Sequence, residues 1–267
     1  MAERQDDVRR HYGITVIVEK LLAELKNQGV DPDHLKPETL FPYDQLHGRE
    51  LAATKDHVGR LGLDPSKKTL DVGSGIGRII SGLSLYLDPA AGRYIGFDPV
   101  IEGVEWCRKT YADKPNLRFE WADIYNELYR PEGTILSTEF TFPVESQTVD
   151  LAILTSVFTH LYEPEIAAYL RELSRVLKPD GKIFATAFLY DGVVPTLSDA
   201  PHLHFDTPDP QNPERWHVEG YPPLAAVCFS ERFFTDLVTK ATGRLPDIRK
   251  GRWRGGTGPW GQDLILI

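Results

Sequence analysis

The chain is short of sulfur, of positive charge and of long apolar runs. Its 267 residues include 2 cysteines and 1 methionine. Cys107 and Cys228 cannot build a disulfide framework, and neither has a metal-ligand companion at short spacing. No apolar stretch approaches the roughly 18 to 20 residues that cross a bilayer. The opening MAERQDDVRR leads into no apolar segment of signal-peptide length. A cytoplasmic location, away from any membrane, is therefore the expectation. The net charge of −9 disfavours a nucleic-acid partner, because a phosphate backbone wants a basic face. What is present is ordinary globular material, 41% hydrophobic and 26% charged, in a chain long enough for a substantial core.

Strand signals are missing from residues 1–66, where helical stripes run instead: Val18, Leu21, Leu22 and Leu25, then a second helix from about 46 to 61. This segment is expected to form a helical cap. From residue 67 the pattern changes. A short apolar strand, Leu70 to Val72, enters the glycine-rich LDVGSGIG, and Ile76, Ile79, Ile80, Leu83 and Leu87 then recur as the stripe of an amphipathic helix closed by Asp88-Pro89. The alternation repeats with strands at RYIGFD (93–98), LRFEWAD (117–123), VDLAILTS (149–156) and KIFATAFL (182–189). Helices fall between them at 101–112 and along Ile166, Leu170, Leu173 and Leu177, the latter stopped by KPDG. Such alternation implies a doubly wound α/β domain over 67–267, with a parallel sheet whose ligands bind beyond the carboxyl ends of the strands.

The last third departs from this rhythm. Between Tyr190 and Pro223 lie seven of the 20 prolines and three of the 8 histidines, with no sustained period. This reads as a long connection across the open end of the sheet, on the substrate side. A helix near 230–241 follows, then DIRKGRW and QDLILI joined by a glycine-rich link, a terminal hairpin that requires one antiparallel strand.

The glycine turn decides the ligand. A dinucleotide fingerprint is Gly-x-Gly-x-x-Gly, whereas Gly73, Gly75 and Gly77 are spaced Gly-x-Gly-x-Gly and Arg78 stands where the third glycine belongs. That spacing argues against a nicotinamide cofactor. Asp71 lies two residues before the first glycine, where it would meet an ammonium group. Asp98 ends the next strand, in the position that grips a ribose diol, and Asp123 ends the strand after that. A ligand with a cationic amine, a ribose and a base bearing exocyclic donors, and without pyrophosphate, is S-adenosyl-L-methionine.

On these residues the sequence resembles the class I S-adenosylmethionine-dependent methyltransferases. LDVGSGIGR is similar to their first motif, YIGFDP to their acidic second strand, WADIYN to their adenine-contacting loop, and RVLKPDGKIFAT to their helix-to-fifth-strand signature. FPVESQTVDLAILTSVFTHL with the late GRW and GQDLILI resembles a bacterial small-molecule and glycan subgroup, while HYG and FPYDQLHGRELAAT resemble the cap of sarcosine-type small-amine methyltransferases. The resemblance implies sheet order 3-2-1-4-5-7-6 with strand 7 antiparallel. It also implies cofactor contacts at Tyr12, Asp71, Gly73, Ser74, Gly75, Gly77, Asp98, Pro99, Ala122, Asp123, Ile124, Thr155 and Ser156.

A hydroxyl acceptor needs a base, and an amine has only to arrive deprotonated. His160, which closes SVFTH past the fourth strand, is one candidate base; its alternative is a structural histidine. His47 in the cap is the second candidate. Tyr12 would serve as an aromatic lid or as simple packing. Tyr190, His202, His204, Trp216, Tyr221 and Arg252 are candidates for the substrate side. His202, His204 and Asp206 alternate as metal ligands can, but a polar substrate loop is the plainer reading and no metal is expected. Arg249, Lys250, Arg252 and Arg254 read as a solvated strand face or an anion dock. The expected function is methyl transfer to a hydroxyl of a small molecule. N-methylation of a small amine, and a cofactor-binding cyclase or non-methylating binder, stay open as alternatives, as does a homodimer.

Overall fold

A computed structural model describes residues 64–84, 87–192, 194, 204–257 and 261–267. The cap assigned to 1–66 thus falls almost wholly outside the described residues, as do Tyr12, His47 and His202.

The strands form where sequence apolarity is densest. β1 (Lys68–Val72), β2 (Arg93–Asp98), β3 (Leu117–Trp121), β6 (Val149–Leu154) and β7 (Leu177–Tyr190) follow one another with α1 (Arg78–Leu83), α2 (Ile101–Thr110) and α3 (Glu163–Val176) between them. A small parallel pair, β4 (Ile124–Tyr125) with β5 (Ile135–Leu136), separates β3 from β6. β6, VDLAIL, is buried at every position but Asp150, as expected of a strand covered on both faces. Alternate residues feed two cores. Leu70, Phe97, Leu154 and Ala185 pack with Ile166, Leu170 and Leu173 of α3 on one face. Tyr94, Leu151, Ile153 and Phe184 pack with Ile80, Leu83, Val104 and Cys107 of α1 and α2 on the other. Among the described residues, no helix is long and apolar enough to cross a membrane.

The expected strand order is realised. β3, β2, β1, β6 and β7 lie side by side in parallel, β12 (Asp263–Leu266) pairs antiparallel with β7, and β11 (Asp247–Arg249) pairs antiparallel with β12. α4 (Glu231–Thr242) is the helix expected near 230–241; Ser230 caps its start and Gly243, at φ 71°, ends it in the left-handed conformation. α1 is shorter than its apolar stripe suggested, because the turn of Gly73 to Gly77 consumes Ile76 and the helix closes at Leu83.

One part of the sequence reading is corrected. The segment 190–223 is not structureless where it is described. β8 (Phe205–Pro208) pairs with β9 (Arg215–Val218), which pairs with β10 (Val227–Ser230), and β10 lies parallel to the far end of β7 at Phe188 to Tyr190. The sheet therefore has ten strands instead of seven. The extra ribbon has its own core of Phe188, Phe205, Val218, Cys228 and Trp253.

Candidate functional site

The carboxyl ends of β1, β2, β3 and β6 converge on the glycine turn. Gly73, Gly75 and Gly77 have φ of 70°, 52° and 81°, a region that L side chains rarely adopt. The first two glycines serve different ends. A Cβ on Gly73 would fall 2.8 Å from Val157 Cγ2, so the turn lies directly against the segment that leaves β6. Among the described residues, a Cβ on Gly75 would meet nothing within 4 Å, so this glycine borders space that they leave open.

Asp71 is 1% exposed and lies on the α1–α2 face of β1. Its Oδ2 accepts from the Tyr94 hydroxyl at 2.7 Å, while Oδ1 is buried without a hydrogen-bond partner among the described residues. Burial pushes this carboxyl up to about 7, against the opposing Tyr94 hydrogen bond and with help from the nearby Asp98 charge. Ser74 Oγ is likewise buried and without a partner among the described residues. Two orphaned polar atoms beside a side-chain-free cradle fit a ligand that brings a cationic donor and further polar groups.

Asp98 is held differently from the simple ribose ligand expected. Its Oδ2 accepts from Gly75 N and its Oδ1 from Val100 N, both at 2.8 Å, so it clips the glycine turn to the start of α2. Burial raises its carboxyl to about 6, although both backbone N–H groups oppose the shift. Pro99, Ala122, Asp123 and Ile124 gather around the same strand ends: Trp121 Nε1 donates to the Pro99 carbonyl at 3.1 Å, and Ala122 N to the Asp98 carbonyl at 3.1 Å. Asp123 accepts from Arg130 Nε and from the Thr134 hydroxyl, each at 2.6 Å, and these two bonds hold it below its usual range.

Past β6, Ser156 sits at φ 57°, an uncommon conformation for a residue with a side chain. Its N–H donates to Thr186 Oγ1 at 2.8 Å, and the Ser156 and Thr186 hydroxyls both donate to Gln262 Oε1. Thr155 precedes this junction. His160 closes the 3₁₀ turn that follows. Its Nδ1 lies 2.9 Å from the Leu224 carbonyl, and its ring meets Tyr129 edge-on at 5.3 Å. Asn126 Nδ2 donates to the His160 carbonyl at 3.3 Å. Asn126, Thr186 and Gln262 were not among the candidates from sequence, because a threonine inside a strand and amides beside short strands carry no signal of their own.

The substrate candidates divide. Tyr190 and Trp216 come together, with rings 6.5 Å apart, at the junction of β7 with the ribbon. His204, partly buried, precedes β8, while Tyr221 is 47% exposed after β9 and Arg252 is exposed in the turn Arg252–Arg254. Arg254 corrects the solvated-face reading: its side chain is only 5% exposed and is paired with Asp263 and Glu231. Among the described residues, no three His, Cys, Asp or Glu side chains gather as a metal set.

The strand order β3-β2-β1-β6-β7-β12-β11, with β12 antiparallel and a Gly-x-Gly-x-Gly turn flanked by acidic strand ends, is consistent with a Rossmann-like methyltransferase fold. Residues 70–185 match the family described as a methyltransferase domain. Solved structures share the fold. A chain of the Haloferax volcanii complex between the Trm112 methyltransferase activator and a methyltransferase is 16% identical, with a TM-score of 0.54 over 84% of this chain and 91% of its own. The Burkholderia thailandensis 1,6-didemethyltoxoflavin-N1-methyltransferase, solved with bound 1,6-didemethyltoxoflavin and S-adenosylhomocysteine, is 16% identical, with a TM-score of 0.51 over 96% of this chain and 88% of its own. The chain spans about half the length of the YcgJ protein of Bacillus subtilis, 53% of it over 55% of this chain, with 20% identity and a TM-score of 0.41, a likeness that carries no fold argument.

Proposed function

We propose that the chain transfers the methyl group to a hydroxyl oxygen of a small-molecule acceptor. The observation that carries this reading is the pairing of His160 Nδ1 with the Leu224 carbonyl at 2.9 Å. A carbonyl only accepts, so the nitrogen facing it bears the hydrogen and the lone pair of the neutral ring sits on Nε2. That is the tautomer a general base needs, and it lies just past the strand end that touches the glycine turn. An oxygen acceptor gains from such a base, whereas an amine does not require one.

In the same reading the cradle at Gly73 to Gly77, with Asp71, Ser74 and Asp98, holds the methionine end and ribose of the cofactor, and Ala122 to Ile124 border its base. The cofactor supplies a methyl already activated on sulfonium sulfur. The protein's part is to align the acceptor, exclude water and receive its proton at His160 Nε2. Residues 67–267 serve as the catalytic domain, with 1–66 as a cap. Trp216 and Tyr190, packed edge to face, offer an aromatic corner on the acceptor side.

The test is incubation with methyl-labelled cofactor and a metabolite extract, followed by carbon NMR of the labelled product. An O-methyl signal supports the proposal. Label on nitrogen, or tight cofactor binding with no labelled product from any acceptor, overturns it.

A further inference from the structure

The turn Pro223–Ala225 is gripped on two neighbouring carbonyls by two histidines. Leu224 O faces His160 Nδ1 at 2.9 Å, and Pro223 O faces His217 Nδ1 at 3.0 Å. His160 arrives from the end of β6 and His217 from β9. The other ring nitrogen of His217, Nε2, lies 2.6 Å from Asp209 Oδ2. Asp209 is itself anchored: Arg215 Nη2 is 3.0 Å away, and the N–H groups of Gln211 and Asn212 donate to Oδ1 at 2.7 and 3.2 Å. Burial alone would raise this carboxyl, but the bonds from His217, Gln211 and Arg215 bring it down to about 2. Arg215 continues to Glu163 at 2.8 Å, at the start of α3, and stacks 4.1 Å over the Tyr162 ring, which meets the His217 ring edge-on at 6.2 Å. A chain of oriented groups therefore runs from α3, through the ribbon, to the turn that faces His160.

We propose that His217, backed by Asp209, is a positioning residue for methyl transfer: it fixes the 223–225 turn so that the Leu224 carbonyl keeps the His160 proton on Nδ1 and the lone pair on Nε2. The inference rests on the reading of His160 as base. Its physical content is narrow. An imidazole without such a partner populates both tautomers, and a base tautomer is secured by what the other nitrogen donates to. Leu224 is a backbone carbonyl on a three-residue turn, so its direction is set by whatever holds its neighbour. His217 does so through the Pro223 carbonyl.

The experiment uses the full chain with nitrogen-15-labelled histidine, reading imidazole nitrogens by long-range correlation and assigning them with His160→Gln. His217→Asn retains a donor where Nδ1 sits, toward Pro223. His217→Gln places its donor where Nε2 sits, toward Asp209. Wild type and His217→Asn are expected to show His160 as a single Nδ1–H tautomer, and His217→Gln and Asp209→Ala an averaged signal. Transfer to acceptors in the metabolite extract falls about tenfold in His217→Gln and is restored in His217→Asn, the scale of one hydrogen bond. Identical His160 spectra in the Asn and Gln variants overturn the proposal, and that comparison stands even where Asp209→Ala fails to fold. Should the spectra shift as expected while His160→Gln still transfers methyl at the wild-type rate, the base reading falls and the positioning of the ring stands.

Discussion

Asp71 and Asp98 carry a pH dependence that can be read in both stability and binding. Burial raises the first to about 7 and the second to about 6. In the unfolded chain such carboxyls titrate near about 4. Between that value and the folded one, the folded state holds protons that unfolding releases, so the stability of the ligand-free protein falls as pH rises from about 4 to 7 and then levels off. Binding a cation runs the other way, because it favours the ionised carboxylate. Cofactor affinity is expected to increase as pH rises through 6 to 8, about tenfold, and Asp71→Asn should flatten that rise; calorimetric titrations across the range measure it. Asp98→Ala is expected to lower affinity and also to destabilise the fold by about 2 kcal/mol, since two backbone N–H groups lose a charged acceptor. Denaturant unfolding without ligand reports that second effect. His160→Gln should reduce transfer about 100-fold with cofactor affinity unchanged, which steady-state rates and calorimetry separate.

At the scale of elements, the terminal hairpin is tied to the sheet by one carboxylate. Asp263 is fully buried and accepts from Leu189 N, Gly251 N and Trp253 Nε1 at 2.8, 2.8 and 2.7 Å, as well as from Arg254 Nε. It thereby joins β12, the far end of β7 and the turn before β12. Asp263→Ala should cost about 3 kcal/mol, as expected when a buried cation loses its main partner, and urea unfolding at fixed pH measures it. The same network shows what the sequence conceals. β6 and the 182–189 run of β7 were legible because doubly covered strands are rich in apolar residues, and the intervening helices keep a clear stripe, as along Ile166, Leu170 and Leu173; β11, exposed at Asp247 and Arg249, was legible only through the glycine-rich link to β12. The glycine turn and the acids ending β1 and β2 were legible for a related reason, since their spacing along the chain is local. Arg254 was not, because its burial depends on Asp263 and Glu231 from other elements. The ribbon was hidden for the same reason. FDTP and RWHV carry little apolar signal, and Arg215 and His217 are made fit for burial by Asp209 and by Glu163 of α3. The clip that Asp98 forms on Gly75 N also needs coordinates, since nothing in the spacing says which way the carboxylate turns.

For the molecule as a whole, the cofactor reading has a consequence that does not depend on finding the acceptor. A ligand that binds the folded chain alone stabilises it by mass action, by about 2.7 kcal/mol at a hundredfold excess over Kd. For a chain of this size that corresponds to a rise in melting temperature of about 5 to 10 °C. S-adenosylhomocysteine is expected to produce such a shift, because the cradle at Gly75 and the orphaned Asp71 Oδ1 and Ser74 Oγ are formed in the folded state and dispersed in the unfolded one. NAD should produce none, since Arg78 stands where a pyrophosphate-binding turn needs its third glycine. Single-stranded RNA should also leave the melt unmoved at moderate salt, because a chain of net charge −9 offers phosphates little to neutralise. Thermal melts with the three ligands side by side decide it: equal shifts from the homocysteine nucleoside and NAD, or a shift from neither, would remove the glycine turn as the cofactor cradle and with it the assignment of Asp71 and Asp98.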